Sequence, residues 1–545
     1  MASDTQQRSL PIKLAKNGFY KGFNRIVAVG SKFLIVLLIL WTAVFSTNAM
    51  SVLTNVKGFV SSHFGVWYMY VMALFSLTCI FLALWPSTGK IKLGSAEEKP
   101  EFSRFSWISM LFGAGIGIGM LTYSTAEPMF HFTNNPDVIQ GNVKALGAET
   151  VRSAYKWSFM HWGFWAWGVY AFTGLAIGYF SYTRGLPLTI RSTLMPLFGK
   201  KLSGSLGHTI DIVAVVATLL GVAVTIGFGI SQFASGVYNI SGMDWIMNSE
   251  GVPTNGAMVL FLVVIMGAST LSALSGVGKG IKWLSNLNMG LTIFVLIFFL
   301  TFGATGFALK VFFVGLWDYI IALPIMATQV WSDDGTQVGK ALADWQSGWT
   351  IFYWAWWIAF APFVGLFFAR VSCGRTIREY VFGTMVIPSI IGFVWFAIIG
   401  GTALNLEITG VANGAILDAD LSSQLYATIN VMLDSGLAKI MSGVIVILLL
   451  TYLVTSADSA ILVVNTIVSA GKPTTNAAKH ILVWGSILTI MIATLLTAGG
   501  LEAVKAAMII GALPFSLVVV LMHVSILKAL FVDARKKEQS TPLSD

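Results

Sequence analysis

Residues 349–379 read WTIFYWAWWIAFAPFVGLFFARVSCGRTIRE. Five aromatic residues fall within the six positions from Phe352 to Trp357, in an apolar run that ends at Arg370, Arg375 and Arg378. An apolar stretch of about 20 residues with a basic end is the pattern of a membrane-spanning helix whose arginines lie on the cytoplasmic side. Indole is a costly lipid-facing residue at mid-membrane, because its N–H needs a partner there. A dense tryptophan cluster at that depth therefore points to a task beyond filling space. Aromatic faces are well suited to holding a quaternary ammonium or similar onium cation by cation–π attraction.

The whole chain agrees with a membrane setting. Of 545 residues, 56% are hydrophobic and only 10% are charged, where soluble domains carry roughly 25% charged residues. Mean hydropathy is +0.79. These values predict an all-α polytopic membrane protein. A net charge of +9 would suggest nucleic acid in a soluble protein; here the location of the charges matters more, and no nucleic-acid partner is expected. The two cysteines, Cys79 and Cys373, fall in a span and in a cytoplasmic loop, so no disulfide is expected. The polar, basic N-terminus delays the first apolar run too long for a cleavable signal peptide.

Runs of about 20 apolar residues place twelve spans near 33–54, 66–86, 104–130, 155–182, 209–241, 256–276, 284–306, 349–370, 380–402, 436–468, 480–498 and 506–531. With the N-terminus inside, the inner segments hold 25 of the Lys and Arg residues and the outer segments 8. Omitting one span would invert everything after it and destroy this asymmetry, so both termini are predicted to be cytoplasmic. The tail is 1–32, the first two spans fill 33–103, and a short tail follows at 532–545. The outer segment 307–348 carries Trp317, Tyr319 and Trp331 and is predicted to form an interfacial amphipathic helix; its Asp333-Asp334-Gly335 lacks the other positions of a calcium loop and reads as a solvated turn.

Four further features bear on chemistry. Span 3 contains GAGIGIGMLTYSTAEP at 113–128. Its glycines suit either close helix packing or a broken helix whose backbone lines a site; Glu127 beside Pro128 is either a proton site or a hydrogen-bonded helix end. Span 4 contains HWGFWAWGVYAF at 161–172, in which Trp162, Trp167 and Tyr170 run deeper than an interfacial aromatic belt requires. In span 8, Phe360 lies four and three residues after Trp356 and Trp357, on a shared surface, and Pro362 removes a backbone hydrogen bond. The clusters of spans 4 and 8 are predicted to close into a cage. Span 10 contains TYLVTSADSAI at 451–461, with Thr455, Ser456, Asp458 and Ser459. These are either oxygen ligands for a hard cation, with carbonyls from span 3, or hydroxyls bonded back to their own helix. Six histidines and two cysteines show no evident metal cluster or nucleophile–base pair, so an enzyme is not expected.

Taken together, the span-8 motif, the span-3 glycines, the His161–Trp162 pair and TSADS in span 10 resemble the betaine/choline/carnitine transporter family over nearly the whole chain. The resemblance implies two inverted five-helix repeats, at 104–306 and 349–531, around a mid-membrane site, with the segment 307–348 on the periplasmic side. It also implies a homotrimer in the bacterial inner membrane, among lipid. The family's aromatic box corresponds to Trp162, Trp167, Tyr170, Trp356 and Trp357. A further tryptophan of betaine-specific members is Phe360 here. Backbone of span 3, at Ile116, Gly117 and Gly119, is implied as the partner of a substrate carboxylate. A sodium site is implied at Gly113 and Ile116 with Tyr452, Thr455 and Ser456. A second sodium site of the family pairs two span-5 threonines; Thr218 matches one, and Val222 replaces the other. Some choline-transporting relatives carry an acid where this chain has Gly119, which favours a zwitterion such as glycine betaine, carnitine or dimethylsulfoniopropionate. The implied function is a secondary symporter for a small onium zwitterion, with sodium or a proton as coupling ion and no other cofactor. The alternatives are a proton-coupled choline transporter and, in a different class, a channel or membrane sensor.

Overall fold

Asn24 opens the first helix: its side chain accepts a hydrogen bond of 3.0 Å from the Val27 N–H, at the N-cap. Helix α1 then runs Arg25–Val44, and α2, Ser46–Leu84, follows after the single residue Phe45. The hydropathy window had placed one span at 33–54. The apolar run is continuous across Phe45, and the break is a backbone event, φ −124° and ψ 50°, that composition does not register. The computed structural model describes residues 10–113, 117–275, 280–472, 474 and 477–540.

The remaining principal helices are α3 (Arg104–Gly113), α4 (Gly117–Thr133), α5 (Ala148–Trp162), α6 (Phe164–Gly178), α7 (Ser205–Ser241), α8 (Asn255–Ser275), α9 (Gly280–Phe302), α10 (Thr305–Met326), α11 (Gln337–Gln346), α12 (Phe352–Val371), α13 (Ile387–Ile408), α14 (Ser435–Val468) and α15 (Ala477–Ser540). Among the described residues there is no strand, and nine helical stretches are long and apolar enough to cross a membrane. The protein is therefore all-helical, and its composition is that of a polytopic membrane protein. Span 4 is absent from the nine because it is interrupted at Gly163, between α5 and α6. The last two apolar segments form one stretch, α15, bent at Gly499–Gly500, where Gly500 takes φ +61° and ψ −152°, a conformation left to glycine.

The segment 307–348 holds two helices of different character. Helix α10 is apolar along its length and packs on α5 and α13. Helix α11 is the amphipathic one, burying Leu342 and Trp345. A π-helical turn, Ser347–Ile351, joins α11 to α12. In the loop before α11, Asp334 accepts from the Thr336 hydroxyl and N–H, and these bonds hold its carboxyl below the usual range.

The core is built around α12, buried along nearly its whole length against α6, α7 and α15. Helix α7 packs on α14 and α15. By contrast α1 presents Phe33, Leu37 and Leu40 outward, as a peripheral helix facing lipid would. Cys79 and Cys373 are both free thiols.

Candidate functional site

Trp162 is the last residue of α5, and the break at Gly163 lets α6 start in a new direction with Trp167 and Tyr170 on its first turns. Their partners come from α12. The Trp162 ring stands edge-on to Trp357 at 5.7 Å and 80°, and to Trp356 at 6.4 Å and 82°. Trp357 also meets Trp167 at 5.9 Å and Tyr170 at 4.9 Å. Phe360 lies one turn further along α12 and faces Tyr170 at 6.3 Å. Tyr123 of α4 completes the group, 6.1 Å from both Trp162 and Trp356. All seven rings are buried. Trp356 is fixed by its indole N–H, which donates to Thr225 of α7 at 3.0 Å. Among the described residues, the indole N–H groups of Trp167 and Trp357 meet no acceptor.

Helix α4 reaches this cluster with its backbone. A Cβ on Gly119 would lie 2.8 Å from Trp162 Cη2 and 3.3 Å from Trp356 Cη2, so the ring edges rest on a position that has room only for hydrogen. Gly117, the first residue of α4, does the same against α14: a Cβ there would lie 2.2 Å from the Tyr452 ring. Gly113 is the last described residue of α3, and Ile116 lies outside the described residues.

Behind the rings sits a buried polar network. The Glu127 carboxylate receives Trp162 Nε1 at 2.7 Å and the Tyr353 hydroxyl at 2.5 Å on Oε2. On Oε1 it meets His161 Nδ1 at 2.6 Å and His131 Nε2 at 3.3 Å. The far nitrogen of His161 pairs with the Thr350 hydroxyl at 3.0 Å, in the π-turn before α12. Glu127, His131, His161 and Thr350 are all 0% exposed. Glu127, His131 and His161 put three ligand-type atoms within 4.8 Å of one another, a set chemically able to bind a divalent metal. Each of those atoms already takes part in a hydrogen bond inside the cluster, while the other ring nitrogen of His131 meets no partner among the described residues. Sequence reading had registered Glu127 and the His161–Trp162 pair, yet saw no histidine cluster, because His131 and His161 lie on different helices; the i, i+4 spacing of Glu127 and His131 was the available signal.

Around span 10, the Tyr452 hydroxyl bonds Thr292 of α9 at 2.8 Å. Thr455 donates back to the carbonyls of Thr451 and Tyr452, at 2.9 and 3.2 Å, and accepts from Asn288 at 3.2 Å. Ser456 is half-buried one residue on. Asp458 accepts from Ser272 of α8 at 2.7 Å and from Ser459 at 3.1 Å. In α7, Thr218 donates to its own helix at Ala214, and Val222 is buried and apolar.

The family model for betaine/carnitine/choline transporters matches residues 26–535. The chain belongs to this transporter family. It is 37% identical to the glycine betaine transporter OpuD of Bacillus subtilis, over 93% of this chain and 94% of that one. It is 36% identical to the osmo-dependent choline transporter BetT2 of Acinetobacter baylyi, over 93% and 71%. It is likewise 36% identical to the ectoine/hydroxyectoine transporter of Virgibacillus pantothenticus, over 95% and 98%. For this transporter the rings of α5, α6 and α12 and the backbone of α4 converge on one buried locus.

Proposed function

We propose that this transporter is a secondary active symporter that imports a small onium zwitterion of the glycine betaine, dimethylsulfoniopropionate or carnitine type, driven by sodium. The observation that carries this reading is the convergence of Trp162, Trp356, Trp357 and Tyr170 on Gly119. Each ring contributes roughly 0.5–2 kcal/mol to a desolvated cation, so three or four support micromolar-to-millimolar binding, weak enough for release. The unpaired indole N–H of Trp357 and the backbone at Gly117 and Gly119 offer donors to a carboxylate, and no acidic side chain at 119 opposes it. Two of the relatives are named for glycine betaine and ectoine, both zwitterions.

Sodium binds, in this reading, between Gly113 and Ile116 of span 3 and Tyr452, Thr455 and Ser456 of span 10. The close approach of Gly117 to Tyr452 supports it by bringing α4 and α14 together at that point. One net positive charge moved inward supplies about 2.3 kcal/mol per 100 mV, or about 50-fold accumulation. Twelve spans arranged as two inverted repeats, rocking around the site, a homotrimeric assembly and an inner-membrane location with both termini cytoplasmic complete the proposal. A second reading, a proton-coupled carrier of choline, is favoured by the buried Glu127–His131–His161 network, by Asp458, and by the relative named for choline.

The test of the onium site is quenching of tryptophan fluorescence in the purified protein, titrated with glycine betaine and with glycine. Saturable quenching by glycine betaine alone is expected. Equal responses to both would contradict an aromatic site selective for the methylated head.

A further inference from the structure

We propose that Glu127 is the counter-charge of the onium site: a buried carboxylate that acts through the Trp162 ring to favour a cationic head over a neutral head of the same shape. The inference rests on the reading of the rings as an onium site.

The geometry supplies the link. Trp162 is held at its two edges. Its indole N–H donates to Glu127 Oε2 at 2.7 Å, and its opposite edge, Cη2 and Cζ3, is the part that meets Gly119. The ring thus spans from the carboxylate to the centre of the aromatic group. An N–H donating to an anion pushes electron density into the indole, which deepens the negative potential of its face, the face that attracts an onium. Burial keeps water from screening the charge.

The hydrogen-bond count supports an ionised carboxylate. Trp162 Nε1–H and Tyr353 O–H point to Oε2, and the two histidine nitrogens to Oε1. A carboxylate accepts at about four sites, and four partners surround it. With the proton of the 2.6 Å bond on His161 Nδ1, the far nitrogen of His161 accepts from the Thr350 hydroxyl, and no donor in this chain of bonds lacks an acceptor. Glu127 is a positioning residue here, since it reaches substrate only through Trp162.

Glu127→Gln separates charge from scaffolding. The amide oxygen can take the Trp162 and Tyr353 donors, and the amide NH2 can face the histidines, whose tautomers change to accept it. The measurement is the affinity of the full-length purified protein for glycine betaine and for 3,3-dimethylbutanoate, which replaces the trimethylammonium by a tert-butyl group. The native protein is expected to prefer glycine betaine. E127Q is expected to lose at least about tenfold of that preference, with the dimethylbutanoate affinity unchanged or tighter, while E127D, which keeps the charge, retains the preference. Equal weakening for both ligands would make Glu127 a strut and overturn the proposal. No change for either would place the proton on the carboxyl and overturn it too. Should E127Q not accumulate in membranes, Y353F reads the same quantity with Glu127 intact: Trp162 becomes the sole donor to Oε2, the preference is expected to rise, and a fall contradicts the proposal. A native protein with no preference overturns the onium reading itself, and this inference with it.

Discussion

Trp357 touches Trp162, Trp167 and Tyr170, and so joins the rings of α5 and α6. Removing it takes away one face and loosens three others. Trp357→Ala is expected to weaken glycine betaine binding by about 30-fold, the 2 kcal/mol scale of a desolvated cation–π contact. The control is Trp317 of α10, which is 66% exposed; its alanine variant is expected to leave affinity unchanged, and equal losses in the two would return Trp357 to a packing role. Gly119 argues the converse. Alanine there presses on two ring edges, at 2.8 and 3.3 Å, so Gly119→Ala is expected to lower affinity about tenfold through 1–2 kcal/mol of overpacking, without preventing insertion. The same titration checks it, and an unchanged affinity would mean that the rings are free to move. Residue types made the cage legible in the sequence, through helical spacing within spans 4 and 8. The seating of Trp162 on Glu127 was not legible, because it joins residues 35 positions apart.

The interrupted elements carry the proposed chemistry. Helices α5 and α6, parted at Gly163, occupy a segment that hydropathy reads as a single span. A window sees apolar composition and is blind to a backbone break, just as it merged residues on either side of Phe45. The glycines of span 3 left open whether that stretch packs closely or breaks; the structure shows the close packing, with glycines at 117 and 119 that let aromatic side chains approach the backbone, and residues 114–116 lie outside the described ones. The coupling proposal belongs at this scale. Replacing Thr455 and Ser456 together by alanine removes two hydroxyls next to the α4–α14 contact. If sodium binds there, the sodium concentration that half-activates uptake is expected to rise at least tenfold, while glycine betaine binding without sodium stays within about twofold of native. An unchanged sodium dependence would contradict that site. Val222, one turn after Thr218 on α7, has no side-chain oxygen to offer a second ion, so under the proposed sodium coupling a single sodium per cycle is the expected stoichiometry.

For the whole molecule, composition alone established an all-helical membrane protein, and the distribution of Lys and Arg gave its predicted orientation. Long-range packing was not available to composition. The burial of α12 against three other helices, and the tie between Arg184 and Asp533 at 2.7 Å that anchors the far end of α15 to the loop after α6, depend on contacts that periodicity does not encode. The apolar α10 shows the same limit: its composition matches a span, and its packing on α5 and α13 sets its place. The central claim is that the aromatic cage serves coupled import. It is tested most directly by uptake of labelled glycine betaine into proteoliposomes under an imposed sodium gradient, compared with an imposed pH gradient. Saturable uptake driven by the sodium gradient and absent under the pH gradient is the expected result. Uptake driven by protons alone would contradict sodium coupling and turn attention to Glu127 and Asp458, and flux that neither saturates nor follows either gradient would contradict the symporter itself.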